Sequence, residues 1–442
     1  MRTFKGGVHP GEMKEATCKK EIVDLGAPQE MVYPLSQHIG APAKPCVKVG
    51  DMVCMGQLIG EADGMMSANI HASVSGKVKA IEKRLHPNGA MVPAIVIEND
   101  GCDTYMPPFD VPANKYQDLT RETLADMIKN AGIVGMGGAA FPTHVKLSPP
   151  PDAKIDYIII NGSECEPYLT SDHRAMLETP AEIIGGLKIL LHAFGLHSGY
   201  IGIEDNKKDA IELLQLYAEK EKEKKIHIVP MKTKYPQGAE KQLIQVVTGR
   251  KVGPGKLPYQ VGCIVLNIDT CCSILRAFRD RMPVIQRIVT LGGDALKNPM
   301  NVRVRVGTPF SYVLEQSGGF VEEPKKVLMG GPMMGTAVPN LTVPVIKGTS
   351  GILCLGERKA RLEKEGACIR CAKCVYACPM NLLPNVLDSA ARRDDFDMLK
   401  KQNISDCIEC GSCAFICPAR RRQVQQIRVA KVKMRSLQEK AK

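Results

Sequence analysis

The chain has 442 residues, 44% hydrophobic and 24% charged, the balance of ordinary globular protein and enough length for roughly three domains. With no Trp and 5% aromatic residues it lacks the makings of a base-stacking nucleic-acid platform, so no nucleic-acid partner is expected. A net charge of +12 favours an acidic partner or an anionic surface instead. From the start of the chain, MRTFKGGVHPGE has no apolar stretch of the kind a secretory signal needs. No later run reaches the ~18 apolar residues that span a bilayer. Seventeen Cys without a signal peptide point to metal or redox chemistry in a reducing compartment.

The first recognisable element is VKVGDMVCMGQLIGEADG followed by SANIHASVSGKVKAI. Its cadence is similar to the two pseudo-symmetric halves of a lipoyl- or biotinyl-like barrel–sandwich hybrid. Carriers of that fold place a modified Lys between the halves, but residues 49–76 contain no Lys, so a packing domain is expected over residues 1–117. From about residue 121 helical and strand periods alternate: RETLADMIKNAG, IDYIII, TPAEIIGGLKILLHAFG, GYIGIE, DAIELLQLYAEKEKEK, KIHIVPM and GAEKQLIQVVTG. Alternation of this kind predicts an α/β layer on a largely parallel sheet over residues 118–279. Thr179, Pro180 and Glu182 have the pattern of an N-cap, first helical residue and capping box.

Ligands of such sheets bind beyond the carboxyl ends of the strands. There the sequence supplies NGSECEP after IDYIII, with Asn161, Glu164 and Glu166, and just upstream the glycine loop GMGGAAFPTHVK, with Gly135, Gly137 and Gly138. These two segments resemble the flavin-binding signature of the NADH-oxidising flavoprotein subunit of respiratory complex I. PQGAEKQLIQVVTG and LNIDT resemble later segments of that family, in the same order. The resemblance implies a Rossmann-like domain binding non-covalent FMN, with NADH stacked over it as substrate. The phosphate would lie on Gly135, Gly137 and Gly138, with Lys146, Asn161, Asn267 and Thr270 as further flavin contacts. Glu164, Glu166, Gly238 and Glu240 would line the flavin and nicotinamide side. Met136, Ser163, Ala239 and Lys241 depart from the complex I pattern and leave room for a different nicotinamide pose.

After residue 280, RIVTLGGD, NVRVRV and KKVLMGGPMMGTAV read as strands around one short helix, TPFSYVLEQSGG, with Thr308 as its expected N-cap. That composition suits a small ligand-binding β-grasp domain over residues 280–350. The Met-rich GGPMMG reads as core and turn.

Eight of the Cys then fall into two copies of C-x₂-C-x₂-C-x₃-C-P, CIRCAKCVYACP and CIECGSCAFICP, within an expected ferredoxin domain over residues 351–425. In this pattern three thiolates wrap one [4Fe–4S] cluster and the fourth ligates the other. One cluster is therefore expected on Cys368, Cys371, Cys374 and Cys417, and the second on Cys407, Cys410, Cys413 and Cys378. A pair of zinc knuckles gives no reason for the third Cys or the Pro. NLLPNVLDSAARRDDFDMLKKQNISD between the runs reads as a helical insertion. The last stretch, residues 426–442, reads as a basic tail, either solvated or a docking contact.

From FKGGVHP and PLSQHIGAPAKPCVKVGD through the two Cys runs, the order of parts looks like the RnfC family, whose members belong to Rnf complexes, the membrane-associated ion-translocating ferredoxin:NAD oxidoreductases. That resemblance implies a translocase subunit exchanging electrons between NADH, FMN and two [4Fe–4S] clusters. It implies a peripheral place on the cytoplasmic side of the cell membrane, with other membrane subunits of the complex as partners, a ferredoxin-type iron–sulfur subunit among them. No acid–base catalytic residues are required. Two alternatives stay open: a flavin and iron–sulfur cobalamin reductase of a microcompartment, and a relay and docking subunit without nucleotide binding.

Overall fold

The computed structural model describes residues 2–111 and 113–440. Met1 and Pro112 of the expected N-terminal domain, and residues 441–442 of the expected tail, lie outside the described residues. Two small sheets share one core near the N-terminus. The first orders strands Glu30–Pro34, Met91–Asn99, Gly76–Leu85 and Met52–Val53, and the second orders Lys44–Pro45, Leu58–Glu61 and Ile70–His71. Met31, Tyr33, Val53, Ile59, Ile70, Val78, Ile95 and Ile97 meet in that core. Along Gly76–Lys79 burial alternates with each residue, as the two-residue pleat requires. Residues 62–69, the hairpin where a carrier would hold its Lys, are docked rather than free. The His144 ring bonds the Met65 carbonyl at 3.0 Å, and Ala68 packs on Val134 and Ala140.

The central sheet is four-stranded and wholly parallel, ordered Lys225–Met231, Ser198–Glu204, Tyr157–Gly162, Cys263–Asn267. Ile158 and Ile160 face one core and Ile159 the other, which is why IDYIII reads as an unbroken apolar run. The chain moves outward from Tyr157–Gly162 through two strands and then returns to its other side, so the direction of winding reverses between Tyr157–Gly162 and Cys263–Asn267. That switch point is where open α/β sheets leave a crevice. The expected capping box at Thr179 does not form. The Thr179 hydroxyl donates to Ala175 O at 2.9 Å, and Glu182 is taken by Arg276 and Arg279.

A six-stranded mixed sheet follows, ordered Ile22–Asp24, Met300–Arg305, Gln286–Gly292, Gly351–Leu355, Lys326–Met329, Thr336–Ala337. Phe310, Val313 and Leu314 of the Phe310–Gln316 helix pack into its core. Gly351–Leu355 pairs in parallel with Gln286–Gly292 in the middle of the sheet, so a boundary at residue 350 cuts this layer one strand short. Thr308 is not the helix cap; Pro309 holds that position, and the buried Thr308 hydroxyl turns toward the Met31 sulfur.

Helices Pro384–Ala391 and Phe396–Lys401 form the expected insertion between the Cys runs. The expected basic tail is largely one helix, Gln423–Lys440, and its first half is core. Val424 is buried, and Ile427 and Ala430 pack with Leu387, Ala390, Leu399 and Ile404. A boundary at 426 therefore falls inside a packed helix. Among the described residues no helix is long and apolar enough to cross a membrane.

Candidate functional site: a glycine cradle and two cysteine-lined cavities

The switch-point crevice gathers most of the expected flavin contacts. Asn267 caps the Ile268–Asp280 helix, its side-chain oxygen accepting the Asp269 and Thr270 amides, while its Nδ2 donates to Asp172 at 2.7 Å. The Thr270 hydroxyl accepts the Met136 amide at 2.9 Å and pins the glycine loop to that helix. Gly137 lies against Asn267, and a Cβ built on it would meet the Asn267 Cβ at 3.6 Å, an ordinary contact. Gly138, at φ +108°, has nothing within 4 Å of such a Cβ. Among the described residues the amides of Gly137, Gly138 and Ala139 have no acceptor, and all three residues are exposed. Three free amides on a turn at a helix N-terminus form an anion cradle. Lys146 pairs with Glu240 at 2.6 Å and donates to Val265 O, on the strand that ends at Asn267. Asn161 Nδ2 donates to Gly238 O at 2.8 Å across the neighbouring edge. The residues present fit a phosphate-bearing flavin.

Two expected contacts are engaged elsewhere. Glu164, at φ +46°, caps the Ser171–Glu178 helix through the Asp172 and His173 amides at 2.7 and 3.1 Å. The Glu166 carboxylate turns away from the crevice and accepts the Met333 and Met334 amides at 3.0 and 2.8 Å. Burial pushes its pKa above the usual carboxylate range. Thus GGPMMG, expected to be a plain turn, is a clasp that closes on Glu166; even a Cβ on Gly331 would collide with that carboxylate.

Sequence reasoning missed four buried cations that hold the site. Lys14 donates from the N-terminal segment to the carbonyls of Glu164, Glu166 and Leu169. Lys207 donates to Ser163 O at 2.6 Å and to Asn206. Arg287, 2% exposed, donates to Met136 O at 2.9 Å behind the glycine loop and pairs with Asp269. Lys347 joins Asn69 O to Gly132 O at the base of the loop. Each acts on a partner far away in sequence. The one local signal was Lys347, a single charge at the end of the apolar run VPVI.

The Cys runs line two cavities. Cys368, Cys371, Cys374 and Cys417 surround the first, and Cys378, Cys407, Cys410 and Cys413 the second, so the geometry has the crossed pattern. Among the described residues no three such side chains converge on a single metal position. Thiols lining one cavity, three from one run and the fourth from the other, suit a cluster. Burial pushes the Cys407 thiol up to about 11 and Cys413 higher, so cluster loading must displace protons. In the first set Cys368 and Cys371 are exposed and Cys374 is buried; in the second, Cys410 and Cys413 are buried and no Cys is exposed. Buried amide oxygens of Asn385 and Gln423 on the first cavity have no partner, as expected where a group is to be received.

The second cavity adjoins the α/β domain. The Tyr235 hydroxyl donates to Cys410 O at 2.7 Å, and Tyr235, Cys410, Cys165 and Met333 pack in one apolar cluster. Cys165, singled out among the nine other Cys, accepts the Gly238 amide at 3.4 Å, and burial raises its pKa.

A phosphate cradle at an α/β switch point, in a domain packed on the second of two cysteine-lined cavities, defines a class: flavin- and iron–sulfur-dependent electron-transfer proteins. Known families match in the same order. A barrel–sandwich hybrid domain of the RnfC type matches residues 2–102, the Nuo51 FMN-binding domain 128–276, the SLBB domain 288–337 and a 4Fe–4S dicluster domain 361–418. The C subunit of the Na⁺-translocating ferredoxin:NAD⁺ oxidoreductase complex of Acetobacterium woodii is 47% identical over 429 residues, 97% of this chain and 96% of that one. Its counterpart in the proton-translocating complex of Clostridium ljungdahlii is 47% identical over 443 residues, 100% of this chain and 96% of that one. The counterpart in an ion-translocating oxidoreductase complex of Rhodobacter capsulatus is 42% identical over 398 residues, 89% and 76%. The chain belongs to this family, the RnfC subunits of Rnf-type complexes. Among solved structures, an NAD⁺-reducing [NiFe]-hydrogenase aligns at TM-score 0.49 and 17% identity over 65% of this chain and 55% of that one.

Proposed function

We propose that this chain is the NAD(H)-reactive subunit of a membrane-bound, ion-translocating ferredoxin:NAD oxidoreductase, working as one part of a translocase. The carrying observation is the packing of Tyr235, Cys165 and Met333 on Cys410, which joins the α/β domain directly to the second cavity. When bound, FMN supplies the exchange between a two-electron hydride and single electrons, which the clusters then carry.

The residues of the chain bind and orient. Gly137, Gly138 and Ala139 offer amides to the phosphate, with Gly135 shaping the turn and Lys146 beside it. Asn161, Asn267 and Thr270 frame the flavin, and Gly238 and Glu240 border the side open to nicotinamide. Lys14 and Lys207 hold the 163–169 turn, so the flavin edge and the Cys410 loop keep their spacing. Glu164 and Glu166 serve that rigidity. The domain divisions follow the same logic, with the mixed sheet running to Leu355 and the cluster domain continuing into the C-terminal helix.

Attachment runs through partner subunits on the cytoplasmic side, a ferredoxin-type iron–sulfur subunit among them. The outward Val429 and Val432, flanked by basic residues, form a candidate contact. Anaerobic titration of the reconstituted protein with NADH tests the reading. Flavin bleaching followed by appearance of a reduced-cluster signal supports it, and loaded cofactors that NADH leaves oxidised at every concentration favour the relay without nucleotide binding.

A further inference from the structure

The two Cys runs are near-copies, so positions at equal distance from each run's fourth Cys can be compared across a pseudo-twofold. Pro384 and Gln423 lie six residues after Cys378 and Cys417, and Asn385 and Val424 lie seven after them. These residues open the two helices that pack together between the cavities, and each helix's first turn touches both. Pro384 and Val424 line the second cavity, whereas Asn385 and Gln423 line the first. One cavity thus receives two amides where the other receives a ring and a branched alkyl group.

Those amides are unspent. Gln423 is 1% exposed, and the side-chain oxygens of both residues are buried without a partner. A half-turn of an amide exchanges its oxygen and its N–H₂, so each can present donors to sulfur. The second cavity offers one side-chain donor near sulfur, the Ser412 hydroxyl at 3.4 Å from Cys410 Sγ. Its other walls include Pro379, Leu382, Leu387 and Ile427. Two backbone amides reach sulfur in the runs, Leu382 to Cys378 and Glu409 to Cys407 at 3.4 Å, both in the second set; the loops themselves match, Arg370 with Glu409 and Asn381 with Arg420 all in the left-handed region, so each run carries the same backbone amides. The matched charges do not separate the two either: Arg370 is exposed to solvent, and Glu409 is neutralised by Arg428 and Lys431.

Hydrogen bonds to cluster sulfurs and solvent exposure both favour the more negative, reduced form and raise the reduction potential. Both fall on the same side here. We infer that Asn385 and Gln423 are positioning residues that donate hydrogen bonds to the cluster on Cys368, Cys371, Cys374 and Cys417, making it the higher-potential member of the pair. The inference rests on the two-cluster reading above. The flavin would then meet the lower-potential cluster first, and an electron entering the pair would come to rest on the outer one.

The test is a potentiometric titration of the full chain followed by electron paramagnetic resonance, with iron and acid-labile sulfide measured on each sample. Wild type should show two separate one-electron transitions. Gln423→Met and Asn385→Leu, which keep the side-chain size and remove the donors, should each move the more positive midpoint to lower potential and leave the other in place. Pulsed measurements in D₂O should lose an exchangeable deuteron coupling from that same signal. If either variant sheds iron, the reciprocal Val424→Asn change decides: it should raise the more negative midpoint. Unmoved midpoints in fully loaded variants, or movement of the more negative one, overturn the inference. A wild type without two clusters would instead overturn the reading beneath it.

Discussion

Replacing Gly137 by Val tests the phosphate cradle with little disturbance of the fold. Gly137 is not in the left-handed region, and its added Cβ would meet only Asn267, at 3.6 Å, so the folded chain accepts the side chain. The branched methyl groups stand over the amides of Gly137 and Gly138, where an anion has to come to hydrogen-bond distance. A hydrogen bond to a charged group contributes about 1.5–3 kcal/mol. Keeping the phosphate from two amides therefore costs about 3–6 kcal/mol, a rise in the FMN Kd of roughly 10²- to 10⁴-fold. Equilibrium dialysis of FMN against apoprotein measures it, with thermal unfolding of the apoprotein as the control. A Kd within threefold of wild type in a normally folded variant would refute the cradle, and flavin that stays attached after acid precipitation would refute non-covalent binding.

Other outcomes follow from buried groups. Lys14→Met strips three carbonyls of their donor and should destabilise the flavin domain by about 3–5 kcal/mol, read from denaturant unfolding. Burial holds Lys347 down at about 7 from 10.5, so above pH 7 the unfolded chain keeps a proton that the folded chain lacks. Stability should rise with pH through that window, and Lys347→Met should flatten the rise in Tm. Burial likewise lowers His38 to about 4 from 6.5, so stability should fall as pH drops below about 6.5, with His38→Gln reducing the fall. Cutting the chain after residue 436 should leave iron content intact. Cutting after residue 425 removes Ile427, Ala430 and the Lys431 bond to Cys407 O, and should lose the second cluster.

What could be read from the sequence was chemistry carried by local spacing. The Cys runs, the glycine loop and the strand run IDYIII each carry their pattern within a dozen residues, and the cavities and the sheet agree with them. Groups whose partners lie far away were not legible. Lys14 reads as a surface residue of MKEATCKK until the chain folds back over Glu164, and Arg287 gives no sign that it will sit behind Met136. Local rules also lost to stronger tertiary partners. Glu182 has the spacing of a capping box, but two arginines hold it more strongly than one backbone amide could. The helical core face of the C-terminal segment, Val424, Ile427 and Ala430, was hidden among nine basic residues that suggested a tail. Gly351–Leu355 was assigned forward to the Cys-rich domain because its sheet neighbours come earlier in the chain.

The central claim is that flavin, second cavity and first cavity form one path in that order. Its most direct test is freeze-quenched reduction by NADH of the wild type, Cys371→Ala and Cys410→Ala, each reconstituted anaerobically and followed by flavin absorbance and electron paramagnetic resonance. All three should bleach the flavin at similar rates. Cys371→Ala should still reduce the cluster on Cys378, Cys407, Cys410 and Cys413, whereas Cys410→Ala should leave its intact outer cluster oxidised on the same timescale. An outer cluster reduced at the wild-type rate when Cys410 is gone would contradict the path.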